Sequence, residues 1–517
     1  MNKRIFPWAL IAVLGFVSCS DDDDNNGGVV TPDVMVSFSA RNTITVNGGG
    51  EGFSEIAAFD PTTNKIFVTN GEEDAVEIYD ISDVDNPVQE TKIDLSATGG
   101  PNSVSVHNGM LAIAVEGTSA QDAGNIWVYD TSDTAIAPTS YTVGALPDMV
   151  TFTPDGSMIV VANEGEPNDD YTVDPKGTVS IIELGNSNVT TLNFDSFIGD
   201  EATLEAEGFR VFGPNADLSE DVEPEYVAVS DDSQTAWVSL QENNGIARVN
   251  LATKMIEAIY PLGFKDYSLP GNEIDPSDKD MKSELRSVPV FGMYQPDAIK
   301  YVNIGGTGYI VSANEGDARE YEGNPGFVGE DRVKDVTLDP TVFPDAATLQ
   351  EDENIGRLKL TTTLGDTDSD GDFDEIYSYG ARSFSLWSES GSLVYDSGNE
   401  IAARTLELTP TRFNGFDVGD NEDARSDDKG AEPEAVETVV MGNKTILFVG
   451  LERNDQVLVY DISNPTSPEF IQILSNTGDE APEGVLAIAA DDSPTGKTLL
   501  VVSNEDTGTI TIYENIE

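Results

Sequence analysis

A short pattern recurs seven times along the chain and limits the possible folds more than any other feature. Each copy opens with a small turn and an acidic or amide residue, as in FSEIAAF at Glu55, and continues as an alternating strand. After a polar turn, a second apolar strand runs into an acid, as in VANEGEP at Glu164. The opening residues are Glu55, Asn102, Asp148, Glu225, Asp297, Glu434 and Glu483, and the closing residues are Glu72, Glu116, Glu164, Glu242, Glu315, Glu452 and Glu505. Such internal repeats indicate a solenoid or a propeller.

The repeat contains four strand-like segments. Hairpin signals such as TPDGS at residues 153–157 join the first two strands, and a third alternating strand such as VLVYDIS at 457–463 follows the closing acid. The openings Glu55, Asn102 and Asp148 are 47 and 46 residues apart. Four strands at this spacing predict an all-β fold, a seven-bladed β-propeller, and no amphipathic helix of ordinary length is evident.

The last repeat stops at its third strand, so one outer strand is missing there. MVSFSARNTITV at residues 35–46 has the alternation needed to supply this strand and to pair the open edge. We therefore assign residues 35–517 to the propeller, closed by an N-terminal strand. Long loop insertions interrupt the repeats after Glu164, within 185–222, across 258–294 and, longest of all, at about 321–380.

The first 34 residues are typical of export and linker segments. Lys3 and Arg4 precede a short apolar stretch, and a small-residue region ends at Cys19. Residues 1–19 resemble a bacterial lipoprotein signal peptide, with Phe16 where such signals usually carry Leu, and Cys19 is then the lipidated residue. Residues 20–34 form an acidic, Gly-rich linker, whose acidic run is either an export tag or a plain solvated linker. We predict an exported lipoprotein of the outer membrane or cell surface of a Gram-negative bacterium, which contacts the membrane only through its lipid.

The charge of the chain excludes whole classes of partner. It carries 94 Asp and Glu against 27 Lys and Arg, a formal charge of −67. Nucleic acids and anionic membrane surfaces are therefore repelled, whereas the acids either keep the protein soluble or attract divalent cations. With one Cys and one His, the chain has no disulfide, no histidine-ligated zinc and almost no nucleophile–histidine pair. A hydrolase built from this chain depends on carboxylates, metal and Arg.

In a propeller, the opening and closing acids converge on one rim of the central channel. Two carboxylates about 5 Å apart repel by roughly 3 kcal/mol at an effective dielectric near 20, so such a ring requires protons, Arg or metal ions. The predicted metal ligands of the rim are Glu164, Glu315, Asp317, Glu434 and Glu452, and the nearby arginines are Arg319, Arg382, Arg425 and Arg453. An alternative interpretation is that the acids only cap turns.

The segment GDTDSDGDFDEIY at residues 365–377 matches a calcium loop. Counted from Asp366 as position one of the loop, acids stand at the first, third, fifth, seventh and ninth positions. Gly371 stands at the sixth position, where a sharp turn is needed. The predicted ligands are Asp366, Asp368, Asp370, Asp372 and Asp374. Tyr377 replaces the bidentate Glu of position twelve, so we predict a weak site or one completed by a distant carboxylate. Calcium is the predicted cofactor and orders the insertion; a flexible acidic linker is the alternative.

These motifs, together with YGARSFSLWSESGSLVYDSG at 379–398 and RSDDKGAEPEAVE at 425–437, resemble the choice-of-anchor I propeller family. The resemblance covers about residues 35–517, and the family is similar to the mesenchyme-specific cell surface glycoproteins of sea urchins. It implies a secreted or surface-tethered, calcium-associated propeller. Some members of the family are labelled alkaline phosphatases.

Two functions remain open from the sequence. The first is a non-enzymatic surface module that binds calcium and an extracellular protein, polysaccharide or mineral face. The second is a calcium-dependent alkaline phosphatase or phytase-like phosphoesterase, which would bind a phosphoester ligand. In that enzyme, calcium would be held by Glu164, Glu315, Glu434 and Glu452, and phosphate by Arg319 or Arg453. The lack of a recognisable nucleophile favours the first function.

Overall fold

The computed structural model describes residues 34–415 and 422–517. The predicted signal peptide, its Cys19 and the linker up to residue 33 lie outside the described residues. Strands far outnumber helices in the described chain, and its main elements are seven four-stranded antiparallel sheets. In six of them the four strands pair in chain order; the seventh takes its outer strand from the beginning of the described chain.

We number the sheets along the chain and give each from its first to its fourth strand. Sheet 1 contains Ala57–Asp60, Lys65–Asn70, Ala75–Asp80 and Val88–Asp94. Sheet 2 contains Pro101–His107, Met110–Val115, Ala123–Asp130 and Thr139–Ala145. Sheet 3 contains Pro147–Phe152, Met158–Asn163, Thr178–Glu183 and Asn188–Leu192. Sheet 4 contains Pro224–Val229, Thr235–Leu240, Gly245–Asn250 and Met255–Pro261.

The remaining three sheets follow the same scheme. Sheet 5 contains Ile299–Ile304, Thr307–Asn314, Ser383–Ser388 and Leu393–Asp396. Sheet 6 contains Pro433–Met441, Lys444–Leu451, Gln456–Asp461 and Glu469–Leu474. Sheet 7 contains Pro482–Ile488, Leu499–Asn504, Thr509–Asn515 and Phe38–Thr45.

The first strands of the sheets surround one central channel. Neighbouring first strands contact each other in chain order from sheet 1 to sheet 7, and the first strand of sheet 7 contacts that of sheet 1. Every sheet contributes to the channel wall, through Ala57, Ser103, Thr151, Tyr226, Lys300, Glu437 and Leu486 among others. Sheets arranged radially around a channel make this fold a β-propeller.

The strand Phe38–Thr45 closes sheet 7, as its alternation predicts. It pairs antiparallel with Thr509–Asn515, so the two ends of the described chain lie in one sheet. Gln472 of sheet 6 also holds this strand: its side-chain amide donates to the Phe38 carbonyl at 3.1 Å and its carbonyl accepts the Phe38 N–H at 2.9 Å. The edge that the last repeat leaves open is thereby paired.

The apolar core lies between adjacent sheets. Second strands such as Met158–Asn163 and Leu499–Asn504 are buried along almost their whole length. Their nearly continuous apolar runs follow from this position, because neighbouring sheets cover both faces. Across one such interface, Trp237 of sheet 4 stacks on Tyr301 of sheet 5 with ring centroids 5.4 Å apart.

Two of the predicted insertions pack against each other. Apolar residues of the longest insertion share a core with residues from the preceding one: Tyr267, Ile274, Val288, Val290, Val333, Leu338, Phe343, Ile355, Leu358, Leu360 and Ile376. Three small sheets lie in these insertions. One has three strands, Phe264–Asp266, Phe291–Met293 and Tyr377–Ser378. The other two have two strands each, Glu320–Tyr321 with Phe327–Val328, and Glu330–Arg332 with Lys359–Thr361. The insertions thus extend the fold as a packed cap.

The helices of the described residues are short. The longest is the nine-residue Glu400–Leu408, which buries Ile401 and pairs Arg404 with Glu400 at 3.2 Å. A helix of about two turns carries too little periodicity to be recognised in the sequence. The others are Glu201–Glu205, Leu218–Asp221 and Ala346–Leu349, with 3₁₀ turns at Asp195–Asp200, Val333–Asp335, Pro410–Arg412 and Glu452–Asn454. None of these helices has the length and apolar character needed to cross a membrane.

Candidate functional site

Acidic side chains from five sheets meet at one end of the channel. They line a cavity of about 370 Å³, which we call the acidic cavity. Its lining comprises nine carboxylates, Asp148, Glu225, Asp297, Glu315, Asp317, Glu434, Glu452, Glu483 and Glu505, with Gln241 and Arg453. Five of the nine are opening residues and three are closing residues. The repeat therefore brings these two sets together, as the propeller geometry predicts.

Two closing acids do not take part in this convergence. Glu72 is exposed, and Glu116 accepts a hydrogen bond from the Gly100 N–H at 3.3 Å. The opening amide of the same repeat, Asn102, donates to the Pro147 carbonyl at 3.1 Å. In sheet 2, Glu116 therefore binds backbone of its own repeat, as in the alternative turn-capping role, whereas Asn102 joins the sheet to the first strand of sheet 3.

Three groups of carboxylates lie in or beside the acidic cavity. In each group, three residues bring one oxygen each within 4.8 Å of one another. Trio A is Glu164, Glu225 and Glu242; trio B is Asp297, Glu315 and Glu434; trio C is Glu315, Glu432 and Glu452. The predicted ligands Glu164, Glu315, Glu434 and Glu452 are thus divided among three groups. The remaining predicted ligand, Asp317, lies on the cavity rim with half of its side chain exposed.

Trio C already has its own positive counter-charge. Lys429 pairs with Glu315 and lies 3.5 Å from the Glu432 carboxylate. Arg425 donates to Glu432 at 2.6 Å, and Arg453 lies 3.3 Å from the same side chain. Burial alone would raise the pKa of Glu432, but these three cations outweigh it and hold the pKa at about 2. Trio C is therefore an ion-pair network in which Glu432 stays charged.

Unlike Glu432, several carboxylates of the acidic cavity have raised pKa values and so favour the protonated form when no cation is bound. Burial raises the pKa of Glu315 to about 8, even though Lys429 opposes the shift. Burial and neighbouring acids raise the pKa of Asp148 to about 7 and that of Glu434 well above its usual range. A divalent cation at this place would therefore have to compete with protons for these carboxylates.

The two arginines predicted to grip phosphate occupy different environments. Arg319 is only 3% exposed, and all three of its nitrogens donate to Asp221 or Glu223, at 2.6–2.8 Å. It is absent from the lining of the acidic cavity, so a phosphate-binding role does not fit it. Arg453 does line the cavity, with its guanidinium 2.8 Å from Glu452.

The predicted calcium loop forms an acidic turn in the longest insertion. The Asp366 carboxylate accepts the N–H groups of Asp370 and Gly371, at 3.1 and 3.0 Å. Gly371 has a φ of 95°, which suits the residue predicted to make the sharp turn. Oxygens of Asp366, Asp368 and Asp374 lie within 4.8 Å of one another. These three predicted ligands are thus brought together without an ion.

A second group at this loop includes Asp339, which the sequence analysis did not select. Asp339, Asp372 and Asp374 bring their oxygens within 4.8 Å. The Asp339 N–H donates to the Phe373 carbonyl at 3.0 Å, and this contact brings the distant acid to the loop. Burial and the nearby Asp370 raise the pKa of Asp372 to about 6. Asp370 belongs to neither group, and no local motif marks Asp339.

Sequence reasoning identified Arg425 and Arg453 near the rim but missed Lys429, the third cation of trio C. Lys429 lies five residues before the opening residue Glu434, in RSDDKGAEPEAVE. No other opening residue has Lys or Arg among the five residues before it, so the signal was present. Its meaning depends on Glu315, a residue of another sheet that only the fold brings near.

The matched region of the family comparison contains most of this site. The family model described as Choice-of-anchor I domain matches residues 55–465. The chain belongs to the choice-of-anchor I family. The match covers sheets 1 to 5 and the first three strands of sheet 6, and it includes all three trios and the predicted calcium loop of this choice-of-anchor I protein.

Two named proteins are similar to parts of this choice-of-anchor I protein. Gigasin-3a of Magallana gigas is 35% identical over 188 residues, which are 32% of this chain and 66% of that protein. The Mesenchyme-specific cell surface glycoprotein of Strongylocentrotus purpuratus is 25% identical over 303 residues, 52% of this chain and 38% of that protein. The chain thus matches less than two thirds of the length of either relative.

Among solved structures, the β-propeller domain of Cps50 (Swd1) from Myceliophteria thermophila superposes with a TM-score of 0.45 at 8% identity. That superposition covers 92% of this chain and 99% of the Cps50 chain.

Proposed function

We propose that this protein is a surface-anchored, calcium-binding propeller lipoprotein of seven blades that acts as an extracellular binding module. The observation that carries the proposal is the acidic cavity, where nine carboxylates surround one opening. Calcium prefers six to eight oxygen ligands, and clustered carboxylates repel one another until a cation binds. The module's partner is an extracellular protein, polysaccharide or mineral face that meets the calcium-bearing surface.

The blade number rests on the sheets of the described ranges. Seven four-stranded sheets are present, and their first strands contact one another in a closed order. Each sheet therefore corresponds to one blade, and the N-terminal strand Phe38–Thr45 completes the seventh. This closure supports the proposal because it joins the two ends of the ring without an open edge.

The anchor rests on the sequence, since Cys19 lies outside the described residues. The apolar segment before Cys19 and the small residues beside it support lipidation and export to the outer membrane of a Gram-negative cell. The name of the sea urchin relative, a cell surface glycoprotein, agrees with a surface location. The linker then connects the lipid to the strand that closes sheet 7.

The calcium loop gives the first test of this function. Changing Asp366 and Asp368 together to Asn removes two of the clustered charges and keeps side chains of the same size. We expect this loop variant to lose one bound calcium per chain, from a site with a dissociation constant of about 10⁻⁴–10⁻³ M. Equilibrium dialysis of the full-length, detergent-purified protein against calcium measures the loss.

A matched control comes from the same loop. Glu375 accepts a hydrogen bond from the Tyr377 hydroxyl at 2.6 Å and belongs to neither carboxylate group. The Glu375→Gln variant should therefore bind as much calcium as the unchanged protein. Equal calcium binding by the loop variant and the unchanged protein would contradict the loop assignment.

A calcium-dependent phosphoesterase of the alkaline phosphatase or phytase type is the second candidate, and Arg453 is the observation that favours it. Its guanidinium lines the acidic cavity beside carboxylates that can hold calcium. For such an enzyme we expect calcium-dependent phosphomonoester hydrolysis that falls roughly a hundredfold in Arg453→Ala. An absence of hydrolysis, or equal rates in the variant and the unchanged protein, would contradict the phosphoesterase and leave the binding module as the remaining proposal.

A further inference from the structure

We infer that trio A, Glu164, Glu225 and Glu242, is a binding site for one hard divalent cation, separate from the calcium loop and from trio C. This inference rests on the proposed function in taking calcium as the ion. It assigns two ligands, Glu225 and Glu242, that the sequence analysis placed only in the repeat. Trio A differs from the other two trios because the nearby arginine side chains donate to groups other than its three carboxylates.

Six carboxylates gather where sheets 3 and 4 meet the longest insertion: Glu164, Glu166, Asp221, Glu223, Glu225 and Glu242. Two guanidinium groups lie near them. Arg319 donates to Asp221 and Glu223, and Arg210 donates to the Glu242 backbone carbonyl at 2.9 Å rather than to a carboxylate. Within residues 34–415 and 422–517, no Lys or Arg forms an ion pair with a member of trio A.

Glu242 supplies an independent observation that a ligand belongs here. Glu242 is only 5% exposed, and its Oε2 has no hydrogen-bond partner within the described part of the chain. Glu225 Oε2 is also buried and has no hydrogen-bond partner within the described residues. Buried carboxylate oxygens are normally hydrogen-bonded or bound to metal, because losing water without a replacement is costly. Two such oxygens in one trio fit a shared cation.

The three trios differ in how much counter-charge they already contain. Trio C holds Lys429, Arg425 and Arg453, and trio B shares Lys429 through Glu315. Among the three, and counting the described residues alone, trio A is the one without a basic side chain paired to it. Carboxylate oxygens without nitrogen or sulfur donors select a hard cation of the calcium or magnesium type. Trio A is therefore the group that gains most from a divalent ion.

The site also has a structural consequence. Arg210, which holds the Glu242 carbonyl, donates its other amino group to Thr361 and Thr363 of the longest insertion at 3.0 and 3.2 Å. Glu166, beside Glu164, accepts the Tyr321 hydroxyl of the same insertion at 3.2 Å. A cation in trio A therefore fixes the point at which the insertion is attached to sheets 3 and 4.

The test compares Glu242→Gln with Glu116→Gln in the full-length, detergent-purified protein. Glu116 has the same position in the repeat as Glu242 but belongs to no trio. Bound calcium is counted by equilibrium dialysis at pH 8, and thermal unfolding is followed in calcium and in EDTA. The loop variant is measured alongside.

We expect Glu242→Gln to lose one bound calcium, whereas Glu116→Gln loses none. In EDTA, Glu242→Gln should unfold at a higher temperature than the unchanged protein, because one buried negative charge is gone and the new amide can donate to Glu164 or Glu225. In calcium the order should reverse. A misfolded variant would be less stable in both conditions and cannot mimic this reversal.

The outcomes separate this inference from the proposed function. Full calcium binding by Glu242→Gln overturns trio A as a site, while a loss in the loop variant still supports the proposed function. A loss in Glu242→Gln with full binding in the loop variant supports trio A and contradicts the loop. An unchanged protein that binds no calcium overturns both.

Discussion

Replacing Arg319 by Met is expected to lower the free energy of unfolding by about 3–5 kcal/mol, because two buried carboxylates lose their counter-charge. The guanidinium is 3% exposed and donates to Asp221 at 2.7 Å and Glu223 at 2.8 Å. It also lies 4.5 Å from the centre of the Phe212 ring. Met keeps an apolar side chain against that ring, so the loss of stability measures the effect of removing the positive charge. Urea unfolding measures it.

Arg248→Met is the matched control for this prediction. Arg248 pairs with Glu257 at 2.6 Å on the surface, where both side chains are 34% exposed. Water and salt screen such a pair, so its loss should cost less than about 1 kcal/mol. Similar urea midpoints for the two variants would contradict the buried role of Arg319. That role also explains why an arginine only four residues after Glu315 does not reach the acidic cavity.

The strand content and the closure of the ring could be predicted from local sequence. Alternation with period two is a property of a strand itself, so segments such as VLVYDIS and MVSFSARNTITV carry it without reference to the rest of the chain. The paired strand Phe38–Thr45 shows that this local signal also located the missing outer strand. Most of the acids at opening and closing positions could be placed on one rim because the repeat fixes their register, although Glu72 and Glu116 do not join it.

The electrostatic detail of the site could not be predicted in this way. Lys429 pairs with Glu315, more than a hundred residues earlier, and Asp339 reaches the calcium loop through a backbone contact to Phe373. Neither contact has a local pattern: the first joins the segment before sheet 6 to the end of a strand of sheet 5, and the second depends on how the longest insertion packs. The same limit explains Arg319: its sequence position beside Glu315 indicated the cavity, whereas its side chain turns toward Asp221. Sequence thus located the carboxylates and two of their counter-charges, Arg425 and Arg453, but not Lys429.

In EDTA, the protein is expected to become more stable as the pH falls from about 8 to about 5. Burial raises the pKa of Glu315 to about 8 and that of Glu242 to about 7, above their values in the unfolded chain near 4.5. The folded state therefore binds more protons across this range, and its stability falls as the pH rises through these pKa values. Each tenfold increase in proton affinity on folding corresponds to about 1.4 kcal/mol, so the two groups together account for several kcal/mol.

Calcium should remove most of this pH dependence, because a bound cation stabilises the charged carboxylates that protons otherwise neutralise. Glu432 does not offset the effect: Lys429 and its neighbours hold its pKa at about 2, so its contribution is lost only below about pH 4.5. Urea unfolding at pH 5, 6, 7 and 8, with EDTA or with calcium, measures both slopes. Stability in EDTA that rises with pH would contradict the raised pKa values, and parallel slopes in the two conditions would mean that calcium does not bind these carboxylates.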